Sequence, residues 1–155
     1  MKTKINWKVL VVSFIIVHFV ALAGSLVTNA DTSWYESIKP NITPPSIVFP
    51  IVWSILFILI SISLYFLWIN AKKKQRKQVA FIFGINLILN ALWSYLFFGL
   101  QKPLFAFYDI ILLWISIVGM LVVSYKINKA SFYMLIPYFL WVSFASYLNW
   151  LIAFG

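Results

Sequence analysis

Cysteine is absent, and only 10% of the 155 residues are charged. Without thiols the chain has no disulfide framework, no iron–sulfur cluster and no thiolate metal site. His18 is the single histidine and sits in an apolar stretch; alone, it makes a hydrogen-bonded helix–helix contact a better expectation than a metal ligand. Acidic residues are almost as scarce: Asp31, Glu36 and Asp109 are the complete set. No two of them have the spacing of a paired-carboxylate site, and no nucleophile–base pair or glycine-rich phosphate loop is present. The five glycines form no GxxxG pair; Ala21 with Ser25 is the nearest small-xxx-small match. Hydrolytic, metal-dependent and nucleotide-dependent chemistry therefore has no visible apparatus.

What the chain has instead is apolar length. Hydrophobic residues make up 64% of it and the mean hydropathy is +0.98, far above the half-apolar, quarter-charged make-up of soluble domains. The pattern predicts an all-α integral membrane protein, a five-transmembrane-helix bundle forming a single membrane domain over 1–155. The expected spans are 7–28, 46–70, 79–100, 104–125 and 132–154, each near the roughly 20 residues a bilayer requires. Ala21-Leu22-Ala23 resembles a signal-peptide cleavage site, but the apolar run continues beyond it, as a retained first helix would.

The formal net charge of +9 does not call for nucleic acid, because the basic residues cluster between apolar runs. Lys2, Lys4, Lys8, Lys72, Lys73, Lys74, Arg76, Lys77, Lys126 and Lys129 fall on one side, and only Lys39 and Lys102 on the other. The positive-inside rule then predicts a cytoplasmic N-terminus and an external C-terminus. The run from Lys72 to Lys77, and Lys126 with Lys129, read as short loops facing anionic lipid.

One polar, proline-rich interval breaks the pattern. Pro40, Pro44 and Pro45 exclude a helix interior there, so the outer loop 29–45 reads as a constrained segment able to act as a lid, with Trp34 and Tyr35 near its start. Counting about 1.5 Å per residue puts Trp53, Asn90, Trp93, Asp109, Trp141, Ala145 and Asn149 within the outer half of the bundle or near its midplane. Asn86, Asn90, Trp93 and Phe97 share one helical face; Tyr138, Trp141, Ala145 and Asn149 share another. Asp109, the only carboxylate inside a span, is expected to face the interior, with Asn90 or Asn149 as its partner. Eight tryptophans, eight tyrosines and fifteen phenylalanines offer walls for a flat apolar ligand.

These residues together resemble the translocator protein family, also called tryptophan-rich sensory proteins or peripheral benzodiazepine receptors. The resemblance runs through Trp34-Tyr35, Lys39-Pro40, Pro44-Pro45, Trp53, Trp68, Asn90, Trp93, Phe97-Phe98, Asp109, Pro137-Tyr138, Trp141, Phe144-Ala145 and Leu148-Asn149. Ile42, Ala91 and Ser94 depart from it, standing where the family usually has Trp, Trp and Pro. No basic residue follows Asn149-Trp150-Leu151, where the family's sterol consensus would end. The resemblance implies a ligand pocket beneath the first loop, lined by Trp34, Tyr35, Pro44, Trp53, Phe57, Asn90, Trp93, Asp109, Tyr138, Trp141, Ala145, Leu148 and Asn149. It implies porphyrin or haem as ligand with no required cofactor, a homodimer, and residence in the bacterial cytoplasmic membrane.

The leading expectation is a membrane receptor or sensor for tetrapyrroles in stress regulation. A second is an enzyme degrading porphyrin in light, with Trp53 and Trp141 as the reacting indoles. A third is a tetrapyrrole or lipid transporter, against which the lack of internal repeats counts.

Overall fold

The computed structural model describes residues 5–155; Lys2 and Lys4 of the N-terminal basic set lie outside them. Six α-helices follow in order: α1 (Trp7–Ser25), α2 (Ser33–Ile38), α3 (Val48–Asn70), α4 (Lys73–Ser94), α5 (Pro103–Ile127) and α6 (Lys129–Phe154). All but α2 are long and apolar enough to cross a membrane, α4 together with the turn that extends it to Gly99. The chain is an integral membrane protein. Each long helix is apolar around most of its circumference, as a lipid-facing helix must be.

The helices begin and end where local chemistry dictates. Asn6 caps α1 by accepting the Val9 N–H at 3.2 Å, and its own N–H donates to the Tyr65 hydroxyl on α3. Thr32 caps α2 through the Tyr35 N–H. The Gln75 side chain accepts the Lys72 N–H at 2.8 Å, which stabilises the start of α4. Pro103 opens α5, where its missing N–H costs nothing. Asn128 is the one residue between α5 and α6, and it caps α6 through the Ser131 N–H.

Two expectations change here. The basic run is not a loop: Lys73, Lys74, Arg76 and Lys77 form the first turns of α4, while Lys126 ends α5 and Lys129 begins α6. Lysine and arginine are good helix formers, and an exposed charge does not end a helix. Arg76 donates from Nε to the Trp68 carbonyl at 3.1 Å and lies over the Trp68 ring, tying α4 back to the end of α3. The outer loop 29–45 is likewise not irregular throughout, since it carries α2. Its prolines all follow that helix.

The five long helices close into a ring. Around it α1 is followed by α3, α6, α5 and α4, which returns to α1. Consecutive α3 and α4 touch sparingly despite their short connection. Leu56, Ile60, Leu67, Phe83, Ile117, Met120, Leu135 and Val142 form the buried centre. At Gly119 a Cβ would sit 2.9 Å from Ile82, so α5 and α4 pack closely there.

Polar side chains link the helices. Asn86 donates to the Ser116 hydroxyl at 2.9 Å and accepts from the Tyr138 hydroxyl at 3.1 Å, joining α4, α5 and α6. Asn90 donates to the same Tyr138 oxygen at 3.3 Å. In lipid such bonds are worth about 0.6 kcal/mol on average, but they fix which faces meet.

Candidate functional site

Above this polar layer the ring opens into a cavity of about 310 Å³, at the low end of the size range of small-molecule sites. Tryptophans from three helices wall it: Trp53 of α3, Trp93 of α4 and Trp141 of α6. Phe57 stacks on Trp53 at 5.3 Å and Phe97 on Trp93 at 5.1 Å. Phe49 meets Trp141 edge-on at 5.9 Å. Ala145 lies among these rings on α6 and leaves room between them.

Trp93 is held in place by a relay. Its indole N–H donates to Asn149 Oδ1 at 2.9 Å, and Asn149 Nδ2 donates to the Pro103 carbonyl, also at 2.9 Å. One asparagine on α6 therefore orients the α4 indole against the start of α5.

The wall of α4 depends on a break in helical regularity. After Ser94 the chain widens into a π-helical turn, Tyr95–Gly99, in which the Leu100 N–H reaches the Tyr95 carbonyl at 2.8 Å. Neighbouring residues on a regular helix point about 100° apart, yet Phe97 and Phe98 both line the cavity. Such insertions mark functional places in many helices. The turn ends at Gln101, whose φ of 52° lies in the left-handed region.

The lid is built from α2 and the residues before it. Asn29, Ala30, Asp31 and Tyr35 line the cavity from above. Tyr35 is 5% exposed, and its ring packs against Phe97 at 6.1 Å and Phe98 at 5.6 Å. Burial pushes the Tyr35 hydroxyl above its ordinary range, with Thr43 acting in the opposite direction.

Of the residues expected at the site, Tyr35, Trp53, Phe57, Asn90, Trp93, Trp141, Ala145, Leu148 and Asn149 line the cavity. Trp34, Pro44, Asp109 and Tyr138 do not. Trp34 packs edge-on against Phe97 at 5.7 Å, outside the wall. Pro44 lies in the segment after α2. Tyr138 is fully buried behind Trp53, 6.2 Å away, with its hydroxyl taken by the asparagines. Asp109 is 4% exposed and bonds neither Asn90 nor Asn149, both of which have other partners. Its Oδ2 has no hydrogen-bond partner among the described residues.

The sequence reading missed the contribution of α1. Ala21, Gly24 and Ser25 line the cavity, as does Thr28 just beyond the end of the helix, small residues that give it width rather than an aromatic surface. The i, i+3, i+4 spacing of the first three is a single helical face. His18 lies on the exposed part of α1, with the Phe14 carbonyl at 3.0 Å and the Ser61 hydroxyl of α3 at 3.5 Å, the expected helix–helix contact, and is stacked on the Phe14 ring.

Five apolar helices closed around an aromatic cavity, capped by a short extramembrane helix, define a polytopic membrane protein with an internal small-molecule-sized chamber. Comparison with known sequences makes the class specific. The model of the TspO/MBR family matches residues 12–154, and the chain belongs to that family. It is 43% identical over 136 residues to a tryptophan-rich protein TspO of Chlorobaculum tepidum, covering 86% of each chain. It is 42% identical over 145 residues to a protein of the same name from Archaeoglobus fulgidus, covering 92% of this chain and 94% of that one. A Bacillus cereus TspO is 33% identical over 143 residues, with 92% and 93% covered.

Proposed function

We propose that the protein is a membrane receptor or sensor that takes a flat, apolar ligand of the porphyrin type into the cavity beneath α2, in a stress-regulatory role. The observation that carries this reading is the convergence of Trp53, Trp93 and Trp141 from three helices on one chamber. Extended π faces favour a planar partner through stacking and edge contacts. The two asparagines low in the wall, Asn90 and Asn149, each donate to protein partners, and Asn149 also accepts from Trp93, so they would orient a ligand without demanding a strongly polar one. A tetrapyrrole is wide for such a chamber and would keep one edge at the mouth under the lid.

The protein sits with its N-terminus and the basic ends of α3–α4 and α5–α6 in the cytoplasm of a bacterial cell. The excess of Lys and Arg at that end supports the orientation. Titrating the purified protein in detergent with protoporphyrin in the dark, by quenching of tryptophan emission, tests the binding reading. Saturable quenching with one site per cavity is expected, and a purely linear response equal to that of free tryptophan would refute it.

A second reading is supported by Trp53 of α3 and Trp141 of α6 lining the same cavity. A bound porphyrin supplies photochemistry of its own; with dissolved dioxygen as the oxidant and these two indoles as electron donors beside the excited ring, the protein would carry out light-dependent porphyrin breakdown. Illuminating the same aerobic samples separates the readings: a defined product formed faster than in detergent alone supports the enzyme, and equal bleaching leaves the receptor.

A further inference from the structure

The cavity wall also carries a rule about ligand charge. Among the described residues it contains no lysine, arginine or histidine. Its one acidic residue is Asp31, beside Asn29 and Ala30 at the mouth. The Asp31 backbone N–H donates to Asn29 Oδ1 at 3.0 Å, which fixes the turn that presents it. The nearby lid cation is already engaged: Lys39 Nζ is 2.6 Å from Glu36 Oε1, and neither residue lines the cavity. No described lysine or arginine forms an ion pair with Asp31.

We infer that the cavity discriminates by the charge of the ligand's polar end, admitting neutral or cationic flat ligands and disfavouring anionic ones, and that Asp31 sets this preference. The inference rests on the proposed use of the cavity and narrows its ligand class. A ligand too wide for the chamber leaves its polar edge at the mouth, beside this carboxylate. A ligand carboxylate brought beside it in a half-solvated setting would be disfavoured about two- to tenfold by like-charge repulsion. No cation in the wall offsets that. The positive charge of the chain as a whole lies mostly at the opposite end of the bundle, further away than screening allows it to act.

Protoporphyrin and its dimethyl ester provide the test, because they share one ring and differ by two carboxylates. Both are titrated in the dark into the full-length wild type, Asp31→Asn and Asp31→Lys in one detergent. The quantity read is the ratio of the diacid Kd to the ester Kd. Partition of each porphyrin into micelles is the same for every variant, so it cancels when ratios are compared. Asp31 is exposed and neither substitution disturbs packing; circular dichroism verifies the fold. The ratio is expected to fall about threefold or more in Asp31→Asn and further in Asp31→Lys, with the differences shrinking as salt is raised. Binding of both porphyrins with one ratio in all three proteins would overturn the charge rule and leave the cavity's proposed use intact. Failure of both porphyrins to bind the wild type would overturn that use, and the charge rule with it.

Discussion

Replacing Asn149 with leucine takes both ends out of the relay that holds Trp93, and the structure gives the size of the effect. Asn149 is 1% exposed and joins the Trp93 indole N–H to the Pro103 carbonyl. The Pro103 carbonyl keeps its place in the first turn of α5 and loses only a second donor. The half-buried Trp93 N–H loses its only protein partner, and leaving such a donor unpaired costs up to about 1–3 kcal/mol. Leucine keeps the branching and heavy-atom count of asparagine and is the larger side chain, so no cavity cost adds to this. The expected loss is about 2 kcal/mol, or about 4–8 °C in Tm for a chain of this size. Near-UV circular dichroism during heating in detergent, at one fixed scan rate, reads the shift. Trp93→Phe supplies the control because it removes the donor itself. In that background Asn149→Leu should cost less than about 0.5 kcal/mol, a coupling of about 1.5 kcal/mol between the two positions, as expected of residues in contact. If Asn149→Leu lowers Tm equally in both backgrounds, the relay does not hold Trp93 and the account of the α4 wall is wrong.

Ala145→Phe should fill the space between Trp53 and Trp141 and weaken dark porphyrin binding more than tenfold, about 1.4 kcal/mol; unchanged affinity in a folded variant would remove Ala145 from the site. Orientation is accessible by labelling, because the chain has no native cysteine. Ser37→Cys and Ala130→Cys are at exposed positions at opposite ends of the bundle, and an impermeant maleimide should reach only Ser37→Cys in intact cells. Labelling of both would refute the proposed topology. Trp53→Phe and Trp141→Phe should keep most of their dark affinity, since an aromatic wall remains, and lose any defined photoproduct; turnover equal to wild type would reduce the indoles to wall.

The five spans were legible because apolar length is a coarse signal that survives uncertainty at the ends. The ends themselves were less so: α4 begins at Lys73 rather than near Val79, because lysines propagate a helix as readily as they populate a loop. The lid helix was overlooked because Pro40, Pro44 and Pro45 dominate the interval. The signals for it were present, with Thr32 as an N-cap, Glu36 in the first turn and Pro40 just past the end. Many of the aromatic and asparagine positions singled out from helical phase and depth line the cavity, since both quantities are countable. The α1 wall was missed because small residues give space without announcing a chemistry. Asp109 was assigned to asparagines that prefer other partners, a choice made by packing that no spacing rule contains. The π-helical turn is of the same kind: an added residue is invisible until the hydrogen bonds are drawn.

The order of helices around the ring has a consequence for how the protein is made. Neighbours in sequence are usually neighbours in space, but here α6 enters between α3 and α5, and it carries Trp141, Ala145, Leu148, Asn149 and Ile152 of the cavity wall. During synthesis α1, α3, α4 and α5 reach the bilayer before α6, with a gap on the flank of α3 that α6 then fills. The buried polar faces of α4 and α5 would wait in that interval, Asn86 and Asn90 without Tyr138 and Trp93 without Asn149. A chain stalled before α6 therefore has four of these spans and no chamber, with the Asn90 amide and the Trp93 indole short of the partners that α6 supplies. Insertion of α6 makes the site and satisfies those groups in the same event.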